Sequence, residues 1–144
     1  MLKYEKKDWK GSSLLRNVYQ IESYVYIHNH LTFSVDEKVS TIQITPAGQV
    51  IVDSDSHAFI YIVEEDGAFS YLSFGEKIWP ALVEMLQHRE DPSIALGERT
   101  IELHHFYEEL EALIYNIEGN GNYGESFVEA VETAFQSILT DNEV

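Results

Sequence analysis

Apolar and polar positions alternate with period two from Val18 to Phe74, and the spacing changes to 3.6 residues beyond Ile78. The first half therefore predicts strands and the second half mainly helices. Tyr24, Tyr26 and His28 alternate with Val25 and Ile27, and Leu31, Phe33 and Val35 alternate with Thr32 and Ser34, so His28-Asn29-His30 reads as a hairpin turn. Further strands are expected at Thr41 to Ile44, Gln49 to Val52, Phe59 to Glu64 and Phe69 to Phe74. The last two are joined through Glu65-Asp66-Gly67, where Asp-Gly supplies positive φ at low cost. Short strands joined by turns predict an antiparallel meander of five to seven strands.

Ile78, Leu82, Met85 and Leu86 predict a helix crossing that sheet, with Pro80 in its first turn and Asp91-Pro92 at its end. Ile94 to Leu96 and Thr100 to Leu103 predict one more hairpin through Gly97. Two apolar stripes follow: Phe106, Leu110, Leu113, Ile114 and Ile117, then Phe127, Val128, Val131, Phe135 and Ile138. Between them, Gly119 suits a left-handed helix end, and Asn122 with Glu125 has the spacing of a capping box. The expected fold is α+β: the meander sheet, one crossing helix and a C-terminal αα-hairpin.

Charge divides the chain into two parts. Residues 1–16 carry five basic side chains and two acidic ones, whereas residues 17–144 carry 23 carboxylates and four basic groups. The first part reads as a basic arm, disordered by default, which can fold back onto its own acidic body. The second is a single acidic domain long enough to bury a core. Its field repels phosphate backbones and favours a protein partner with a basic surface. Without cysteine there is neither a disulfide framework nor a thiolate metal site. The Lys-rich start lacks a following apolar run and no segment reaches membrane-spanning length, so a cytoplasmic protein with no membrane association is expected.

Several clusters offer candidate chemistry. Asp53 and Asp55, with His57 nearby, could hold a divalent metal or divide acid and base roles, although Asp-Ser-Asp-Ser between strands is first a turn. His28 and His30 form an H-x-H pair, and His104 with Glu108 or His105 with Glu109 has helical spacing for a metal pair. Glu118, Asn120, Asn122 and Glu129 occupy four ligand places of a calcium loop, but Tyr123 stands where that loop needs glycine. No serine has a motif-level tie to a histidine, no phosphate-cradling loop occurs, and no cofactor is expected. Trp79 and Tyr123 lie off the apolar stripes, so either could serve recognition or packing.

Val52-Asp53-Ser54-Asp55, Phe59 to Glu64, Tyr71, Trp79-Pro80 and the run Asn116 to Glu125 resemble a YjbL-like uncharacterised protein family of Gram-positive bacteria, uncharacterised protein family 0738. The resemblance spans roughly Tyr19 to Ile138 and leaves residues 1–16 as an extension. It implies a small cytosolic protein and assigns no activity, cofactor or catalytic residue.

The combined expectation is a non-catalytic adaptor or regulatory protein-binding module. Its acidic face would comprise Glu108, Glu109, Glu111, Glu118, Glu125, Glu129 and Glu132, with Trp79, Tyr123, Asn120 and Asn122 as further binding candidates. The alternative is a divalent-metal protein or hydrolase using Asp53, Asp55 and histidines such as His57. A third reading is mimicry of a nucleic acid.

Overall fold

Tight turns with left-handed residues set the strand pairing in the computed structural model, which describes residues 5–7, 13–15, 17–35 and 43–140. His28 and Asn29 both have positive φ, as do Asp66 and Gly67, the geometry whose twist matches flanking antiparallel strands. They join β4 (Ser23–Ile27) to β5 (His30–Ser34) and β7 (Ala58–Glu65) to β8 (Ala68–Gly75). Gly97, also left-handed, turns β9 (Ser93–Leu96) into β10 (Arg99–Glu102).

The strands do not form one meander. They make two four-stranded sheets, ordered β3-β8-β7-β6 and β10-β9-β5-β4. Here β3 is Val18–Gln20 and β6 is Thr45–Asp53. Each sheet contains one parallel pair, β3 with β8 and β5 with β9, which corrects the expected all-antiparallel arrangement. Ile21 N–H still bonds the Ser73 carbonyl in the first sheet, and two residues later the chain enters the second. In the arm, β1 (Glu5–Lys7) pairs antiparallel with β2 (Ser13–Leu15), and the rest of the arm lies outside the described residues. So does part of the strand expected at Thr41 to Ile44; β6 begins just after it and carries a bulge between Pro46 and Val50.

Aromatic rings join the sheets into one core. Phe33 of β5 meets Phe74 of β8 at 5.0 Å, Phe74 meets Phe106 at 5.0 Å, and Phe106 meets Tyr61 of β7 at 5.1 Å. Each fully buried ring of this kind contributes roughly 1.5–3 kcal/mol relative to exposure. Ile60, Ile62 and Tyr71 form a smaller buried cluster, so β7 is buried on both sides rather than on alternate positions.

Helix α1 (Trp79–His88) has Pro80 in its first turn, as its fixed φ and missing donor allow. Arg89 ends it in the left-handed region, two residues before Asp91-Pro92. The Asp91 carboxylate instead accepts the His105 and Tyr107 backbone N–H groups, at 2.9 and 3.1 Å, and caps α2 (Phe106–Ile117) from a distant loop. Gly119 is left-handed just past α2, as expected. The Asn122–Glu125 capping box does not form: a 3₁₀ turn over Gly121–Tyr123 intervenes, and Gly124 precedes α3 (Glu125–Ala134) without a side-chain cap. Phe135 interrupts the last helix, and α4 (Gln136–Thr140) completes the described chain. No helix among the described residues is long and apolar enough to cross a membrane.

Candidate functional site

Ser54 to His57 turn β6 into β7, and His57 enters β7 from the left-handed region with φ 52°. Its imidazole faces two other elements. Nδ1 lies 3.0 Å from Oε1 of Glu76, in the 3₁₀ turn before α1, and Nε2 lies 3.2 Å from Oγ of Ser126, in the first turn of α3. The Phe127 ring abuts the imidazole nearly edge-on at 5.7 Å between centroids. A carboxylate oxygen accepts, so Nδ1–H directed at Glu76 fixes the ring orientation, and in the neutral tautomer that this contact favours Nε2 is the acceptor facing the Ser126 hydroxyl. Beside this row lies a cleft of about 380 Å³, lined also by Glu129, Ala130, Thr133 and Ala134.

The Asp53, Asp55 and His57 set does not converge. Asp53 Oδ1 accepts the Ser56 N–H at 3.3 Å, a local side-chain-to-backbone bond within the turn, and Asp55 lines a different cleft with Gln20, Glu22 and Ser73. Among the described residues, no three His, Asp or Glu side chains are grouped to hold a metal ion. His28 sits in the β4–β5 turn, while His30 bonds Ser93 at 2.9 Å and approaches Glu90 at 3.5 Å. His104 and His105 precede α2, so the expected helical pairs give way to a His105–Glu108 contact at 3.4 Å.

The acidic helices divide into engaged and exposed carboxylates. Glu111 pairs with Arg89 at 2.9 Å, and Glu132 accepts the Gly119 N–H at 2.8 Å. Glu109, Glu118, Glu125 and Glu129 are exposed, as is Glu108 beside His105. Asn120 Oδ1 accepts the Asn122 N–H at 3.0 Å, so the calcium-like window folds as a self-capped turn. Tyr123 is half-buried against Phe127, and its hydroxyl accepts from Asn116 at 2.8 Å. Trp79, considered for surface recognition, is only 1% exposed and donates to the Phe74 carbonyl at 2.9 Å. Burial of the whole indole leaves it a core residue.

A surface missed in the sequence lies at β4. All five of its residues are exposed at the edge of the second sheet, with Tyr24 at 37%, Val25 at 52%, Tyr26 at 43% and Ile27 at 46%. The cue is that apolar residues fill both alternating sets, a pattern that ordinarily means burial on two faces. Tyr24 contacts Tyr26 at 6.0 Å and Phe33 at 6.4 Å, and the Tyr26 hydroxyl donates to Glu84 of α1. Burial first, and the Glu84 carboxylate second, push the Tyr26 phenol up to about 12.

A model of a family of unknown function, UPF0738, matches residues 19–135. The chain belongs to this family. UPF0738 relatives include a protein of Lysinibacillus sphaericus, 43% identical over 127 residues that cover 88% of this chain and all of that protein. Another, from Bacillus cytotoxicus, is 38% identical over 84% of this chain and 99% of its own length. The UPF0738 protein YjbL of Bacillus subtilis is 42% identical over 62% of this chain and 74% of its own. No solved structure matches the chain.

Proposed function

We propose that this UPF0738 chain is a protein-binding module that accepts an extended segment of a basic partner along β4. The observation that carries this reading is an uncharged edge strand, Ser23 to Ile27, with every residue solvent-exposed in a chain with 25 acidic residues. Edge strands usually carry charge, proline or a bulge to prevent pairing, and β4 has none of these. An added strand would gain main-chain hydrogen bonds, while Tyr24 and Tyr26 on one face and Val25 and Ile27 on the other would select apolar side chains.

Charge selects the partner. Glu22 adjoins β4 in sequence, Glu84 touches Tyr26, and Glu90 lies beside His30 of the neighbouring strand. A segment with Lys or Arg flanking an apolar core fits this frame. The exposed carboxylates of α2 and α3 add long-range attraction, which raises encounter rates more than affinity.

Selection from a displayed peptide library tests the reading. The expected outcome is enrichment of alternating apolar segments with basic flanks, and at least a tenfold loss of binding in Tyr24→Pro, whose N–H faces away from β5 in this register, with cooperative thermal unfolding retained. Undiminished binding by that variant would remove the proposal. Concentration-dependent dimerisation abolished by the same substitution would assign the edge to a second copy instead.

A further inference from the structure

The Glu76–His57–Ser126 row lies apart from β4 and is not needed for strand addition. From it we infer a second capacity: Ser126, His57 and Glu76 form a nucleophile, base and orienting group able to hydrolyse small esters. The distances are 3.2 Å from Ser126 Oγ to His57 Nε2 and 3.0 Å from His57 Nδ1 to Glu76 Oε1, the relative placement that defines such a triad on unrelated folds. Hydroxyl, imidazole and carboxylate come from α3, the β6–β7 turn and the turn before α1, so three separate elements fix the row.

In the reaction, Ser126 Oγ attacks the ester carbonyl while its proton passes to His57 Nε2, and the Glu76 carboxylate stabilises the imidazolium. Collapse of the tetrahedral intermediate breaks the bond to the alkoxy group, which leaves as the alcohol with the proton from Nε2. Water then adds to the acyl-serine with His57 as base, releasing the acid and restoring the hydroxyl. The first intrahelical bond of α3 runs from the Val128 N–H to the Gly124 carbonyl, so the Ser126 and Phe127 N–H groups precede it. With no side-chain cap on that helix, these N–H groups are the donors for the developing oxyanion.

The cleft sets the substrate class. Ala130, Ala134 and Thr133 offer small contacts suited to a short acyl group, and the lining carboxylates Glu76 and Glu129 disfavour anionic esters. Ser126 is exposed, so neutral or cationic esters reach it without an opening motion.

A fluorophosphonate probe followed by peptide mass spectrometry, together with p-nitrophenyl acetate turnover, tests the inference on the full chain. A single adduct on Ser126 is expected, with turnover reduced roughly 10²–10⁴-fold in Ser126→Ala and His57→Gln. Glu76→Gln should lower kcat more than it raises KM, because it misorients the imidazole rather than removing a substrate contact. No adduct on Ser126, or turnover unchanged in Ser126→Ala, overturns the inference. If His57→Gln fails to fold, the probe and the exposed Ser126→Ala variant still decide it. Neither readout involves β4, so peptide binding and ester hydrolysis stand or fall separately.

Discussion

The Tyr19 hydroxyl donates to the Glu65 carboxylate at 2.8 Å across 46 residues of chain, tying the short edge strand β3 to the far end of β7. Ser70 and Asn17 donate to the same carboxylate at 2.8 and 3.2 Å. Burial raises the Glu65 pKa, but hydrogen bonds from Ser70, Tyr19 and Asn17 outweigh it and hold the group below the ordinary glutamate value.

A lowered folded-state pKa means the native chain binds fewer protons than the unfolded one, so this contribution is present above the unfolded pKa and lost as pH falls through the folded value. Glu65→Gln should therefore flatten the acid limb of stability. Urea midpoints measured between neutral and acidic pH check the slope, and Tyr19→Phe should lower stability by about 1 kcal/mol at neutral pH.

Tyr26 titrates in the opposite sense. Its raised pKa of about 12 makes its contribution complete below the unfolded phenol value and lost as pH rises through 12. Glu84→Gln should bring the titration down, measured as the difference in phenolate absorbance between each background and its Tyr26→Phe partner.

Gly48 occupies the β6 bulge with φ +71°, and a Cβ there would lie 2.7 Å from Cε1 of His104. The side chain cannot simply swing away without losing its 3.2 Å contact with the Pro46 carbonyl. Gly48→Ala should cost more than about 1 kcal/mol, since left-handed strain and the close approach add. Thermal melting against the wild type measures it.

Asp91 should behave as a cap supplied from outside its helix. Asp91→Ala removes acceptors from both the His105 and Tyr107 N–H groups and should cost roughly 0.5–2 kcal/mol, with faster hydrogen exchange in the first turn of α2. Trp79→Ala, which empties the space against Phe59 and Phe135, should cost about 3–5 kcal/mol.

Local chemistry made much of the fold legible in the sequence. The turns at His28-Asn29, Asp66-Gly67 and Gly97, the proline-started α1 and the apolar stripes of α2 and α3 each depend on backbone dihedrals or side-chain period within a few residues. Tertiary structure decided the division into two sheets, because the parallel pairing of β3 with β8 and β5 with β9 joins segments more than 50 residues apart. It likewise buried Trp79, exposed β4 and brought His57 to Ser126 across 69 residues. A strand's apolar positions show that it can be covered but not what covers it, and hydrogen bonds between distant side chains leave no spacing in the chain for periodicity to detect.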